Sequence, residues 1–193
     1  MAYTKLIYHI VLRTHQGTAP ITEAHERDLY MYIYGFCKNH QCVLYRINGM
    51  PNHVHLLVGL HPTIAVASFV HDLKIATNNF MTANRDRFPG FVKWEQGYCA
   101  LTYSEADKER VIQYIINQKE HHRRVSARDE LIALLQECGV EYDERYVRPS
   151  ADRAGADATD ADVTGADGRP LQGRCSHTCV PSEGARYART PGY

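Results

Sequence analysis

The sequence has no apolar run near the roughly 18 residues needed to cross a bilayer, and Met1 to Arg13 holds only a short apolar stretch interrupted by His9. No membrane association is expected, and the cytoplasm is the expected compartment. Neither charge is in excess: 22 Lys plus Arg face 22 Asp plus Glu. Net charge therefore gives no argument for a polyanionic partner, and a nucleic-acid reading must rest on a site. The six cysteines (Cys37, Cys42, Cys99, Cys138, Cys175, Cys179) are scattered, which suits buried small hydrophobes in a reducing compartment rather than a disulfide framework. Cys175-Ser176-His177-Thr178-Cys179 has three ligand types close together, but no second Cys or His pair follows and large apolar residues are scarce around it. That pattern argues against a zinc site.

What is present is one domain and an extension. A length of 193 residues with 44% hydrophobic and 23% charged side chains can bury a core of ordinary size. The composition changes near Pro149. From Ser150 onward the chain is Ala, Asp, Gly, Thr and Arg, with the quasi-repeat Ala154 to Asp167 and few large apolar residues. Such a segment cannot offset its own ordering entropy, so residues 149–193 are expected to form a low-complexity, disordered tail after a folded domain at 1–148.

Within that domain, Leu6 to Leu12 is a β-branched and aromatic run suited to a strand covered on both faces. Pro20 to His40 follows with Leu29, Ile33, Phe36 and Cys37 at helical spacing and Thr22 as a candidate N-cap. Cys42–Ile47 and His53–Leu60 read as a hairpin across Asn48-Gly49-Met50-Pro51-Asn52, where Asn-Gly is the turn signal. A second helix is expected from about Ile64 to Asn84, and a short aromatic strand from Tyr98 to Tyr103. Ser104 and Asp107 then resemble a capping box opening a long helix to about Val125. Leu131 to Cys138, stopped by Gly139, gives a small terminal helix. The first six elements, β-α-β-β-α-β, predict an α+β, ferredoxin-like split βαβ fold: an antiparallel sheet with helices on one face, followed by the helix at 104–125.

Two patterns point to chemistry. In His53-Val54-His55 the two-residue period of a strand puts both imidazoles on one face, their Cα atoms about 6.6 Å apart, with Val54 facing the core. Such a pair either forms a solvated surface or converges on one metal ion; its place at the head of an otherwise apolar strand favours the second reading. On the last long helix, Tyr114 and Gln118 are four residues apart and share a face. Ile112, Ile115 and Ile116 already supply an apolar stripe. A phenol of pKa near 10 must be activated, at a cost of about 4 kcal/mol at neutral pH, before it acts as a nucleophile. A nearby cation would assist, and the Gln118 carbonyl could serve as a third ligand.

The run Gly49-Met50-Pro51-Asn52-His53-Val54-His55-Leu56-Leu57-Val58, then Asp72-Leu73-Lys74, then Tyr114-Ile115-Ile116-Asn117-Gln118 resembles the single-tyrosine HUH transposases of small bacterial insertion sequences, the TnpA type, with their relatives associated with REP palindromes. The likeness covers about residues 3–148, including Val140 to Tyr146. Asn52 departs from the aspartate frequent there, which touches turn geometry or a DNA contact. The resemblance implies that His53, His55 and Gln118 hold Mg2+ or Mn2+, and that Tyr114 attacks a phosphate of single-stranded DNA to leave a 5′-phosphotyrosine bond and a free 3′-hydroxyl. It further implies hairpin-bearing single-stranded DNA as partner and a homodimer in which each tyrosine helix can complete the partner's site.

Lys74, Asn78 and Arg85 on the second helix, and His121, His122, Arg123 and Arg124 beyond Gln118, are candidate DNA contacts; each also suits a solvated helix face. Trp94 and Tyr98 are candidates for base stacking or for the core. The alternatives to a mobile-element transposase are a domesticated nuclease acting on repeat palindromes, a replication initiator or relaxase, which the small size disfavours, and a catalytically silent hairpin-binding regulator.

Overall fold

The structure, a computed structural model, describes residues 3–143 and 147. Residues 144–146 of the closing segment and the whole 149–193 extension, with Cys175, His177 and Cys179, lie outside the described residues.

Seven buried or half-buried residues form β1 (Ile7–Arg13), the strand that the apolar run predicts. After a single 3-10 turn come α1 (Glu26–Asn39), β2 (Val43–Met50), β3 (His53–Gly59), α2 (Val66–Ala83), β4 (Cys99–Tyr103), α3 (Lys108–Ile116), α4 (Gln118–His121) and α5 (Ala127–Glu137). The four strands make one antiparallel sheet in the order β2-β3-β1-β4. This is the split βαβ arrangement, with β1 and β3 at the centre.

Strand alternation sorts the sheet into two faces. On one, Ile10, Leu12, Val54, Leu56 and Val58 pack against Leu29, Ile33 and Cys37 of α1 and Phe69, Val70, Leu73 and Met81 of α2. On the other, Ile7 and Leu57 meet Val111 and Ile115 of α3, while Val11, Cys99 and Leu101 meet Leu134 of α5. The α1 and α2 pair covers one face as the split βαβ reading expects, and the C-terminal helices cover the other. His9, His53 and His55 belong to this second face, so they are buried beneath helices rather than exposed to water.

Several boundaries differ from the sequence expectation for local physical reasons. The hairpin turns at Pro51-Asn52, while Asn48 and Gly49 sit inside β2 opposite His55 and Val54. Gly49 is required by packing: a Cβ there would overlap the His53 carbonyl oxygen and come within 2.9 Å of Val54 Cα. Helix α1 begins at Glu26 rather than at Thr22, because Ile21 N–H is held by the Pro51 carbonyl at 3.0 Å and Thr22 to His25 form a turn. Ser104 and Asp107 bond each other, Ser104 Oγ donating to Asp107 Oδ2 at 2.6 Å and accepting from Asp107 N–H at 3.3 Å, so they cap the turn before α3.

The expected long helix from 104 to about 125 is interrupted at Asn117 (φ −86°, ψ 10°). Asn48 Nδ2 donates to the carbonyls of Ile115 and Ile116 at 2.9 and 3.1 Å. This cross-link from β2 satisfies carbonyls at the end of α3 and lets the chain re-enter a short helix at Gln118. Helix α5 starts four residues earlier than the leucine pattern suggests, because Ser126 caps it by accepting the Asp129 N–H. Gly139 (φ +64°) follows it in the left-handed conformation that favours glycine. Cys37, Cys42 and Cys99 are buried free thiols, and Cys138 is half-buried. Among the described residues no helix is long and apolar enough to cross a membrane.

Candidate active site

Three segments far apart in the chain meet on the second sheet face. His53 and His55 come from the start of β3, the period-two pair presenting both rings to the same side with centroids 5.1 Å apart. Tyr114 comes from the last turns of α3, Gln118 and His122 from α4 and its end, and Glu130 from the first turns of α5. His53, His55, Gln118 and Glu130 are each at most 3% exposed.

Glu130 joins these groups. Its Oε1 accepts hydrogen bonds from the Tyr114 hydroxyl and from Gln118 Nε2 at 2.8 Å. Its Oε2 lies 3.0 Å from His122 Nε2, 3.4 Å from His55 Nε2 and 3.8 Å from His53 Nε2. One ligand atom from each of His53, His55, His122 and Glu130 falls within 4.8 Å of the others. His121 stands at the margin, 3.9 Å from Glu130 Oε1, its ring 5.7 Å from that of Tyr114.

Behind these rings lies a further layer. Asn52 Oδ1 contacts His53 Nδ1 at 2.7 Å, His9 Nε2 contacts His55 Nδ1 at 2.9 Å, and the Val125 carbonyl contacts His122 Nδ1 at 3.0 Å. Partners of this kind fix the orientation of ligating imidazoles. Two buried polar atoms, His55 Nε2 and Gln118 Oε1, make no hydrogen bond.

The electrostatics follow from burial. Burial alone would raise the Glu130 carboxyl, but His55 and His122 outweigh it and hold the group far below the usual carboxylate range. Tyr114 is pushed upward by burial first and by the adjacent Glu130 charge second. His53 is lowered well below the ordinary imidazole value by burial and by His55, and His9 is lowered to about 3 for the same reasons. The site therefore contains a neutral phenol, an ionised carboxylate and, at His53, a neutral imidazole. Neutral imidazole and ionised carboxylate are the ligand-competent forms for a divalent cation.

The sequence-derived residues divide accordingly. His53, His55, Tyr114 and Gln118 come together within a single chain. His122, offered as a DNA contact, is instead inside the cluster. Lys74 is half-buried and donates to the carbonyls of Glu95, Gln96 and Gly97 at 2.8, 3.1 and 2.8 Å, so it fastens the loop before β4. Asn78 and the exposed Arg85 accompany Lys74 on or just after α2, on the first sheet face. Arg123 and Arg124 are exposed beyond α4 on the second, and Arg123 pairs with Glu120 at 2.7 Å. The two basic sets do not form one continuous face. Trp94 is a core residue, 5% exposed, with its indole N–H on Thr77 Oγ1 at 2.8 Å. Tyr98 remains 43% exposed beneath Lys74, whose Nζ is 5.5 Å from the ring centroid.

Glu130, His9 and the positioning role of Asn52 are missing from the sequence reading. Each left a signal. Glu130 lies on the buried stripe of α5 with Ala127 and Leu134, where a carboxylate is anomalous. His9 interrupts an otherwise apolar strand.

The model for the family "Transposase IS200 like" matches residues 2–118, a span that includes the histidine pair, Tyr114 and Gln118. The chain belongs to the IS200-like transposase family. Among curated relatives of this family member, the ISDra2 transposase TnpA of Deinococcus radiodurans is 36% identical over 73 residues, which make up 36% of this chain and 52% of that protein. The chain thus spans about half the length of that relative. A solved candidate transposase of Deinococcus radiodurans R1 is similar with a TM-score of 0.48 and 28% identity, covering 61% of this chain and 93% of that one. A REP-associated tyrosine transposase, solved bound to a REP hairpin, gives a TM-score of 0.49 at 12% identity, covering 85% of this chain and 97% of that one.

Proposed function

We propose that this IS200-like family member cleaves and rejoins single-stranded DNA through Tyr114, forming a 5′-phosphotyrosine bond and releasing a 3′-hydroxyl. The observation that carries the reading is the meeting of the Tyr114 hydroxyl with the buried His53 and His55 pair through one carboxylate, Glu130. A phenol and two imidazoles from distant segments have no packing reason to share a buried polar site. Retaining the phosphodiester energy in the tyrosyl bond lets a second strand be joined without a nucleotide cofactor.

The residues fit a divalent cation, Mg2+ or Mn2+: the His55 Nε2 and Gln118 Oε1 atoms are buried without partners, and His53, His55 and Gln118 stand together. When bound, the ion would supply charge neutralisation at the scissile phosphate. Tyr114 supplies the attacking oxygen, and in the resting chain its hydroxyl donates to Glu130 Oε1. Helices α3, α4 and α5 exclude bulk water from the histidine face.

The DNA partner of this reading is a single strand carrying hairpin ends. Arg123, Arg124 and His121 lie nearest the site as phosphate contacts; Lys74, Asn78 and Arg85 are more distant candidates, with Tyr98 available to stack on a base. One nucleophile per chain makes one cut, so excision of a segment calls for two chains, and a homodimer is part of the proposal. Domain 1–148 would carry the chemistry. The second reading, a silent hairpin-binding regulator, leaves the buried Tyr114, Glu130 and histidine arrangement without a purpose.

Labelled single-stranded hairpin DNA incubated with the protein and Mn2+ or Mg2+ tests the reading. A covalent protein-DNA adduct is expected, lost in Tyr114→Phe and strongly reduced in His53→Ala. Binding without an adduct would favour the regulator, and efficient cutting of plain duplex would overturn the substrate class.

A further inference from the structure

We propose that His122 and Glu130 complete the cation site, so that three imidazoles and one carboxylate, His53, His55, His122 and Glu130, hold the ion beside the Gln118 carbonyl. The inference rests on the metal-dependent reading above and specifies its ligands and ion class. The family match ends at residue 118, before either His122 or Glu130.

The argument comes from hydrogen-bond chemistry. His53 Nδ1 faces Asn52 Oδ1 and His122 Nδ1 faces the Val125 carbonyl. Both partners only accept, so both histidines carry their proton on Nδ1 and turn an Nε2 lone pair inward. His55 Nδ1 meets His9 Nε2 at 2.9 Å, where either ring can supply the proton, and its Nε2 makes no hydrogen bond. The His53 and His122 Nε2 atoms are 3.0 Å apart with no proton between them in this assignment. Two lone pairs at that distance repel, and a shared cation removes the repulsion. The spacings from His53, His55 and His122 Nε2 to Glu130 Oε2 are 3.8, 3.4 and 3.0 Å, near the roughly 3.4 Å edge of a tetrahedron built on ligand bonds of about 2.1 Å, within a ligand set that spreads up to 4.8 Å.

Gln118 is arranged differently. Its amide nitrogen donates to Glu130 Oε1, which positions the carboxylate and leaves the buried carbonyl oxygen without a hydrogen bond and free to face the ion. Gln118 and Tyr114 thus hold one Glu130 oxygen while the other faces the imidazoles.

The donor set also selects the ion. Mg2+ favours oxygen ligands and gives up water reluctantly, whereas imidazole-rich sites suit first-row transition ions. The site should take Mn2+, Co2+ or Zn2+ in preference to Mg2+.

Mn2+ titration of the full chain stripped of metal, followed by electron paramagnetic resonance with Mg2+ as competitor, tests this directly. His122→Ala and Glu130→Gln should each weaken Mn2+ binding by more than about 100-fold, beyond the 10- to 100-fold typical of outer-layer residues. Gln118→Ala should weaken it by about 10- to 100-fold, less than either of those two variants, and a large excess of Mg2+ should fail to displace Mn2+. Nitrogen couplings on Mn2+ bound to the unmutated chain should count three imidazoles, which decides the question even if a variant does not fold. Two imidazoles, or binding that survives His122→Ala and Glu130→Gln but is lost in Gln118→Ala, would overturn the assignment. Three imidazoles in a chain that forms no DNA adduct would uphold this site and remove the strand-cleavage reading instead.

Discussion

Tyr114 donates its hydroxyl to Glu130, and burial together with that negative neighbour holds the phenol above its ordinary value. On the proposed reading the resting site stores a protonated nucleophile, and strand cleavage would begin by drawing Tyr114 away from Glu130 Oε1. Relieving that hold without removing the hydroxyl gives a test: Glu130→Gln should lower the phenol's ionisation midpoint while impairing Mn2+ binding. An ultraviolet pH titration of this variant, read against Tyr114→Phe in the same background, would show the midpoint shift. An unchanged midpoint would mean that Glu130 does not control the tyrosine. Asn52 offers a second test. Replacing it with Ala removes the acceptor that orients His53, and a 10- to 100-fold loss of metal affinity is expected, measured by the same Mn2+ titration. At this scale the sequence was readable where a short period places side chains: two residues for His53 and His55, four for Tyr114 and Gln118. Glu130 was not readable, because the leucine pattern starts the last helix at Leu131 and leaves the carboxylate outside it. Asn52 was visible only as a departure from a family habit, and its role needed the ring orientation of His53.

The elements that bring these residues together depend on a few polar cross-links. Asn48 reaches from β2 to the carbonyls of Ile115 and Ile116 and fixes where α3 stops. Asn48→Ala should cost about 1–2 kcal/mol from the lost bonds, seen as a lower thermal midpoint. It should also reduce DNA cleavage by more than the stability loss explains, since Gln118 and His122 lie beyond that break. A melt unchanged from the parent would show that the cross-link contributes nothing. Ser126→Ala should cost about 1 kcal/mol by removing the α5 cap and loosen the turn that presents Glu130. The strand and helix order was legible because apolar periodicity dominates β1, β3, α1 and α2. The turn was misplaced because Asn48-Gly49 is the commoner hairpin signal, whereas here the asparagine binds a helix end and the glycine yields to a crowded backbone. The interruption at Asn117 was hidden for a similar reason: helical spacing continues through it, and only the partner strand supplies the capping amide.

For the whole molecule, the buried His9 and His53, both lowered below the ordinary imidazole value, make the fold sensitive to acid. His9 titrates at about 3 when folded against 6.5 as its model value, so between those values the unfolded chain binds the extra proton and stability falls as pH falls. At pH 5 this one residue removes about 2 kcal/mol relative to neutral pH. His53 acts in the same direction. Glu130, whose folded value is depressed, keeps its contribution above its unfolded value and loses it only at lower pH. Urea melts of the metal-free chain at pH 7 and pH 5 should show this loss, and equal midpoints would contradict the buried neutral state. A chain ending at residue 148 should retain both folding and DNA cleavage if 1–148 is the chemical unit. The two-faced sheet was only half legible: its first layer followed from the split βαβ pattern, while the cover formed by α3 to α5 depends on contacts between segments distant in the chain. The most direct test of the central claim is denaturing gel analysis of the full chain incubated with Mn2+ and labelled single-stranded hairpin DNA. A labelled band at protein-plus-DNA mass, absent with Tyr114→Phe, is predicted; an equal band with Tyr114→Phe, or none with the native chain while Mn2+ and DNA are both bound, would contradict it.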